Sequence, residues 1–285
     1  MQSTDTEFLI PSSVSEALEN IAKEDAIFLG GGTSTALLYK TRLIEPSRVV
    51  WLGNVGELKG ISVSTTAVTI SAMTTIAEIS ANRDIATLLP AVSAAAGAIG
   101  NARVRAMATL GGALAHADPR QDLPPAMIAV GAVVSVKSAA GSRDIPLAKF
   151  YEGFLETVLT PEELITAITI PLVREGRSSY LRYTPTSEGD YPTIGAAAAV
   201  TMAADGNTIE TATAVLCGVG TVPIIAEEAS RILEGTTGDD ATLRRAANTV
   251  REIVDPQDDE RGTAAYKREI APVFAYRALK SCMQR

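Results

Sequence analysis

The chain has 285 residues, of which 46% are hydrophobic and 20% charged, so it has enough apolar mass for a packed core and is not a disordered chain. Lys and Arg number 25 against 33 Asp and Glu, a formal net charge of −8. This balance argues against binding a nucleic-acid backbone, which requires clustered positive charge. Cys217 and Cys282 are far apart and His116 is the single histidine, so the chain predicts no iron–sulfur cluster or histidine-rich metal site of its own.

Nothing in the sequence indicates a membrane or an export signal. No apolar run reaches the roughly 18–20 residues that a membrane span requires. The segment Met1–Asp5 lacks the basic and apolar regions of a signal peptide. We therefore expect a cytoplasmic protein whose chemistry depends largely on its backbone and on a bound group.

The first predicted elements form a strand–loop–helix–strand unit. Ser13 and Glu16 have the spacing of a capping box at the start of an amphipathic helix. Strands are predicted over 26–29 and 48–52, with a helix over about 34–43 between them. The turn-rich stretch 53–60 predicts the first domain boundary.

The middle of the chain mixes strands and helices. Thr75 and Glu78 predict a second capping box. The other predicted elements are a hairpin over 61–72, one alanine-rich helix over 86–99 with Pro90 in its first turn, a helix over 123–129, and strands over 132–137 and 164–170. The charged stretch 173–179 predicts the second boundary.

The last third predicts a small sheet followed by helices. Strands are expected over 180–183, 193–203 and 208–217, and helices over 224–234, 241–253 and 263–282. Asp205-Gly206-Asn207 predicts a hairpin turn, because these residues accept positive φ at little cost. Cys217 is expected to be a small apolar residue of a strand.

Two glycine segments are candidates for binding an anion. Leu29-Gly30-Gly31-Gly32-Thr33-Ser34-Thr35 lies between a strand and a helix, where glycine lets backbone amides approach a diphosphate. Thr109-Leu110-Gly111-Gly112 predicts a second loop. Each segment alone could equally be a tight turn, but two together could hold a dinucleotide from two sides. Neither is a GxGxxG or a lysine-bearing phosphate loop.

Polar and aromatic residues elsewhere are weaker candidates. In the segment His116 to Asp122, a carboxylate could accept hydrogen bonds from cofactor hydroxyls, although a solvated loop is the simpler interpretation. His116 is more often structural than a general base in such a loop. Tyr191 could lie on a flat heterocycle or in a surface turn.

The order of these segments resembles the FAD-binding medium subunit of the molybdenum hydroxylases, the xanthine dehydrogenase and carbon monoxide dehydrogenase family. The segments that carry the resemblance are Gly30-Gly31-Gly32-Thr33-Ser34, Gly100-Asn101 with Val104-Arg105, Thr109-Leu110-Gly111-Gly112, His116-Ala117-Asp118-Pro119, Thr160–Ile165, Gly189-Asp190-Tyr191 and Arg261–Arg268. The resemblance covers essentially the whole chain.

The resemblance implies an α+β fold with three parts. Two FAD-binding subdomains, as in flavoproteins of the vanillyl-alcohol-oxidase (PCMH-like) type, would cover 1–56 and 57–175. A C-terminal sheet-and-helix domain of the carbon monoxide dehydrogenase flavoprotein type would cover 176–285.

The resemblance also implies a set of FAD-binding residues and no catalytic or metal-binding residue in this chain. They are Leu29, Gly30, Gly31, Gly32, Thr33, Ser34, Thr35, Thr109, Gly111, Gly112, Asp122, Ile165, Arg182 and Tyr191. The chain departs from the family pattern at Gly30 and Thr33, where alanine and histidine are common, and at Ala113, where asparagine is common.

The function implied is electron transfer within a heterotrimer. A large subunit would carry the molybdenum cofactor and a small subunit two [2Fe-2S] clusters, in a dimer of heterotrimers, and FAD in this chain would pass electrons to an external acceptor. Two distant cysteines disfavour the benzoyl-CoA reductase branch, which has an extra cluster in this subunit. A stand-alone FAD-dependent oxidoreductase and an adaptor that has lost FAD remain alternatives.

Overall fold

The fold is mixed α and β, as predicted, and the computed structural model describes residues 6–23 and 25–284. The segment Met1–Asp5, on which the absence of a signal peptide was argued, lies outside the described residues. Three main sheets, with helices packed on them, make up the described residues.

The strands of the described residues are β1 Glu7–Leu9, β2 Ala26–Leu29, β3 Arg48–Trp51, β4 Ile61–Val63, β5 Ala67–Ser71, β6 Val133–Ser138, β7 Gly141–Pro146, β8 Tyr151–Gly153, β9 Glu156–Thr157, β10 Leu164–Pro171, β11 Gly176–Tyr183, β12 Ile194–Met202, β13 Ile209–Cys217 and β14 Ile224–Ile225. Their helices are α1 Val14–Ile21, α2 Thr35–Lys40, α3 Ile76–Ala81, α4 Arg83–Leu88, α5 Pro90–Ala98, α6 Ala102–Met107, α7 Leu110–His116, α8 Leu123–Ala129, α9 Glu227–Leu233, α10 Asp240–Asn248, α11 Val250–Ile253 and α12 Ala264–Met283.

The first sheet is parallel, with β3 between β1 and β2. Helix α1 buries Val14, Leu18 and Ile21 at the spacing that the sequence predicted. Its capping box is only half formed: the Ser13 side chain accepts from the Glu16 amide, but the Glu16 carboxylate accepts from the Ser12 amide and hydroxyl. The parallel strands end at Leu29 and Trp51, so the glycine segment after β2 leaves the carboxyl edge of the sheet.

The second sheet is antiparallel, in the order β4-β5-β10-β6-β7. Helices α3 to α8 lie between β5 and β6 in the chain. Helix α3 begins with the complete capping box of Thr75 and Glu78. A bulge between Ile165 and Ala167 shifts the pairing of β10 with β6. The sheet and these helices share the largest buried apolar cluster, which includes Phe150 and Leu123.

The predicted single helix over 86–99 is wrong, because the chain forms α4 and α5 instead. Leu89 between them has φ −135° and ψ 59°, outside the helical region. The residue before a proline is disfavoured in the helical conformation, and Pro90 has no amide to continue the ladder. Pro90 therefore starts α5 at its first position rather than lying within an existing helix.

The third sheet, β11-β12-β13-β14, is antiparallel and packs against α12. The hairpin turn at Asp205-Gly206-Asn207 is confirmed, with Gly206 at φ +68°. Strand β11 begins at Gly176, so the stretch 173–179 is not wholly a linker: Ser178 and Ser179 are buried strand residues.

The C-terminal helices differ in detail from the prediction. The segment predicted as a helix over 224–234 begins with the short strand β14, and the one over 241–253 is divided into α10 and α11. Cys217 and Cys282 are both buried. Across residues 6–23 and 25–284, no helix is long and apolar enough to cross a bilayer, and no cluster of three or more His, Cys, Asp or Glu could hold a metal ion.

Candidate functional site

The candidate site is a cavity of about 640 Å³ where the first sheet, helices α2, α3, α6 and α7 and the loop before β12 meet. This volume lies within the range of about 300–1,000 Å³ that is typical of small-molecule sites. The predicted residues that line it are Gly30, Gly31, Gly32, Thr33, Ser34, Thr35, Thr109, Gly112, Asp122 and Tyr191. The structure therefore brings the two glycine segments to one cavity.

The first glycine segment lies directly against the backbone around α6 and α7. A Cβ at Gly31 would be 1.6 Å from the carbonyl oxygen of Met107, and one at Gly30 would be 2.7 Å from Oγ1 of Thr109. Gly32 has φ +75°, a backbone conformation that residues other than glycine rarely adopt. Only glycine at Gly30 and Gly31 permits this approach without a shift of the neighbouring atoms.

The second glycine segment is not the loop that the sequence predicted, because Leu110, Gly111 and Gly112 form the first turn of α7. Thr109 caps this helix, with its side chain accepting from the Gly112 amide at 3.4 Å. The Gly111 amide donates to the Ala72 carbonyl at 2.7 Å, and a Cβ there would lie 2.8 Å from the Ala72 Cβ. Gly111 therefore serves close packing against the second sheet and does not line the cavity.

A buried ionic cluster forms another part of the wall. The Asp122 carboxylate accepts from Arg182 Nη1 at 3.0 Å and from the Tyr180 hydroxyl at 2.5 Å. Burial raises the pKa of Asp122 to about 6, although Arg182 and Tyr180 both act to lower it. Burial also raises the pKa of Tyr180 well above its ordinary value, so Tyr180 remains a hydrogen-bond donor.

Arg182 connects three parts of the chain. Besides Asp122, its guanidinium donates to the carbonyl of Ala98 at 2.6 Å, at the end of α5, and to the carbonyl of Asp190. Arg182 itself is outside the lining of the cavity and lines an adjoining cavity of about 870 Å³. It therefore positions Asp122 and the loop that leads to Tyr191.

Two guanidinium groups lie over the ring of Tyr191. Arg120 is 5.2 Å and Arg261 6.0 Å from the centre of its ring. Arg261 also donates to the Tyr191 carbonyl at 3.2 Å and pairs with Asp190 at 2.7 Å. Burial raises the pKa of the Tyr191 hydroxyl to about 12, so the ring is neutral and held at the cavity.

The remaining predicted residues do not line the cavity. Leu29 ends β2 with its Cδ1 3.7 Å from the position of a Gly32 Cβ. Ile165 is 5% exposed, within β10. His116 does line the cavity, and burial lowers its pKa, so its ring is neutral at pH 7.

Sequence reasoning missed two residues of the segment between α7 and α8. Arg120 pairs with the buried Asp118 at 2.9 Å and stacks on Tyr191. Gln121 is 8% exposed and lines the cavity. Both come directly after Asp118-Pro119. The polar residues that follow this pair were therefore the available signal in the sequence.

The charges of the lining are compatible with a flavin dinucleotide. The glycine segment offers free main chain and hydroxyl groups with no carboxylate among residues 30–35. The carboxylates that line the cavity each have an arginine partner: Asp118 with Arg120, Asp122 with Arg182 and Asp190 with Arg261. Pairing reduces their repulsion toward a diphosphate.

Two family descriptions match the chain. "FAD binding domain in molybdopterin dehydrogenase" matches residues 4–173, and "CO dehydrogenase flavoprotein C-terminal domain" matches residues 179–282. The first match alone covers more than half of the chain. Together they confirm the resemblance inferred from the motifs.

Curated relatives and solved structures agree with these matches. The chain is 35% identical to the carbon monoxide dehydrogenase medium chain of Afipia carboxidovorans, over 96% of both chains. It is 30% identical to the glyceraldehyde dehydrogenase medium chain of Sulfolobus acidocaldarius, over 94% of this chain and 95% of the other. A chain of reconstituted CO dehydrogenase from Oligotropha carboxidovorans superposes with a TM-score of 0.93, at 33% identity over 100% of both. The chain therefore belongs to the family of FAD-binding medium subunits of the molybdenum hydroxylases.

Proposed function

We propose that this chain is the FAD-binding electron-transfer subunit of a heterotrimeric molybdenum hydroxylase. It would take electrons from the [2Fe-2S] clusters of a small subunit, while a large subunit carries the molybdenum cofactor. FAD, when bound, supplies the ability to accept and release electrons one or two at a time. The assembly would be a dimer of heterotrimers, and the external acceptor would be reduced at this chain.

The single observation that carries the proposal is the shared cavity of the two glycine segments. Gly31 lies against the Met107 carbonyl and Gly30 against the Thr109 hydroxyl, so the two segments adjoin at the cavity. We infer that residues 29–35, Thr109 and Gly112 surround the diphosphate, and that Gly111 supports Gly112 by packing against Ala72. Asp122, Ile165, Arg182 and Tyr191 complete the proposed cofactor site.

We also propose that the chain is organised as 1–56, 57–175 and 176–285. Support comes from the sheets, because the parallel sheet ends at Trp51, the five-stranded sheet ends at Pro171 and the third sheet starts at Gly176. Residues from all three parts contribute to the cavity or to its ionic cluster. In this arrangement the third part positions the loop of Tyr191.

The chain's own residues orient the cofactor and exclude water from it. Asp122 is 3% exposed and Arg182 has a side chain that is 11% exposed, so this part of the wall excludes bulk solvent. Such fixed dipoles and charges around a flavin set its affinity and its potential. No residue of this chain is assigned a proton-transfer step.

The test is purification of the tagged full chain from its native cells, followed by cofactor and subunit analysis. We expect stoichiometric FAD in this chain and two copurifying subunits, one with molybdenum and one with iron. A chain without flavin, even after incubation with FAD, would support the adaptor alternative. A flavin-containing chain that copurifies with neither subunit would support the stand-alone oxidoreductase.

A further inference from the structure

Gln121 is a buried polar residue whose side-chain oxygen the fold leaves without a hydrogen-bond donor. It is 8% exposed, and its Oε1 has no hydrogen-bond partner among the residues that the structure describes. Burying an amide without a partner is costly, and most buried side-chain polar atoms have a partner. An unpaired amide in the wall of a cavity indicates that the partner is a ligand.

The neighbouring charged groups are already engaged and do not satisfy Gln121. The Asp118 carboxylate accepts from the backbone amide and from the guanidinium of Arg120, at 2.9–3.0 Å. The Asp122 carboxylate accepts from Tyr180 and Arg182. The carboxylates on both sides of Gln121 in the sequence, Asp118 and Asp122, are therefore already hydrogen-bonded to other groups.

Backbone hydrogen bonds fix the position of the segment that carries Gln121. The Gln121 amide donates to the Asp118 carbonyl at 3.1 Å, and the Gly218 amide donates to the Pro119 carbonyl at 2.9 Å. Asp122 directly after it is anchored by the buried ion pair with Arg182. These contacts hold Gln121 at the cavity wall before any ligand binds.

We propose that Gln121 is a cofactor-binding residue, whose side-chain amide pairs with an N–H or O–H donor of the bound flavin nucleotide. This inference rests on the proposed function. It explains why a long polar side chain is retained at a buried position that an apolar one of the same length could fill. It also predicts opposite effects of Gln121 on the empty and the loaded protein.

Tyr151 provides a matched control. Its hydroxyl is the other buried side-chain atom without a partner in the described part of the chain, and Tyr151 does not line the cavity. Tyr151→Phe removes an unpaired polar atom and nothing else. It reports the stability gained by removing such an atom, independently of cofactor binding.

The experiment measures the melting temperature of the FAD-free full chain and its dissociation constant for FAD, in the wild type, Gln121→Met and Tyr151→Phe. Both variants should raise the melting temperature of the FAD-free chain by about 2–4 °C, because each removes an unsatisfied buried group. Only Gln121→Met should weaken FAD binding, by about tenfold. Gln121→Leu is the second variant if the first does not fold.

Competition by FMN and by ADP identifies the half of the nucleotide that Gln121 contacts. A tenfold loss for FMN alone assigns the donor to the flavin half, and a loss for ADP alone assigns it to the adenosine half. Unchanged affinity of Gln121→Met for FAD, with a raised melting temperature, overturns the inference. A wild-type chain that binds no FAD overturns the proposed function instead, so the two failures are distinguishable.

Discussion

The cavity has two walls that differ in construction. The glycine wall, residues 30–35 and 109–112, brings main chain against main chain, with Gly31 next to Met107. The ionic wall, formed by Asp118, Arg120, Asp122 and Arg182, is built from charged side chains that are buried or, for Arg120, half-buried. The first depends on the absence of side-chain atoms, and the second depends on complete pairing of charges.

This difference determines which substitutions disrupt each wall. Added atoms damage the glycine wall through steric overlap, which does not depend on pH. Loss of one partner damages the ionic wall, because the remaining charge is left in an environment with little water. The ionic wall is therefore sensitive to pH and to single charge removals, and the following predictions test that contrast.

The largest effect is expected for Arg182→Leu. It leaves the Asp122 carboxylate buried without its cation, which we expect to lower the free energy of unfolding by about 3–5 kcal/mol in urea titrations. Arg244→Leu is the control, since Arg244 and Asp240 form an exposed pair, with side chains 59% and 51% exposed. That change should cost less than about 1 kcal/mol. Equal losses for both variants would show that burial does not govern the ionic wall.

The second prediction concerns pH. Burial raises the pKa of Asp122 from 3.8 to about 6, so between these values the folded chain binds more protons than the unfolded chain. The stabilising contribution of this group is present below about pH 4 and is lost as the pH rises through 6. Each pKa unit corresponds to about 1.4 kcal/mol, so this group should change the free energy of unfolding by about 3 kcal/mol in total.

Urea unfolding of the wild type and of Asp122→Asn at pH 4 to 8 measures this contribution. The unfolding free energy of the wild type minus that of the variant should fall from pH 4 to about pH 7 and then level off. A difference that rises with pH would mean that Arg182 and Tyr180 outweigh burial.

The third prediction concerns the glycine wall. Gly31→Ala places a Cβ on the Met107 carbonyl, so the backbone must move. We expect a loss of about 1–3 kcal/mol in stability, and at least tenfold weaker FAD binding in fluorescence titrations. Gly56→Ala has open space around the added atom and should change stability by less than about 0.5 kcal/mol. Tight FAD binding by Gly31→Ala would contradict the proposed role of this contact.

The smallest effect is expected at the cap of α7. Thr109→Val removes the acceptor for the Gly112 amide and should cost about 1 kcal/mol, with weaker FAD binding. Thr263→Val removes the corresponding acceptor for the Tyr266 amide at the start of α12, far along the chain from the cavity segments. The two variants should lose similar amounts of stability, but only Thr109→Val should weaken FAD binding. That result would show that Thr109 contributes to the site beyond its role as a helix cap.

Local signals made part of this fold predictable. The capping box of Thr75 and Glu78 and the turn at Gly206 each depend on residues within three positions of one another. The glycines after β2 were recognisable as a candidate binding segment for the same reason. Interactions between residues this close in sequence can be predicted from the sequence alone.

Other features depend on contacts that sequence spacing does not reveal. Asp122 and Arg182 are 60 residues apart, and their pairing is set by the packing of α8 against β11 to β13. Helix α7 was missed because two glycines in succession disfavour a helix. The Thr109 cap and the bond from Gly111 to Ala72 compensate for that preference.

The ion pair between Asp122 and Arg182 has a consequence for engineering chimeras of this family. The two family matches divide the chain between residues 173 and 179, which makes that junction an attractive place to join halves from different relatives. Asp122 and Arg182 lie on opposite sides of the junction, so a hybrid inherits one partner from each parent. Recombination at this point should succeed when both parents supply compatible partners, and otherwise leave a lone buried charge in the ionic wall of the cavity.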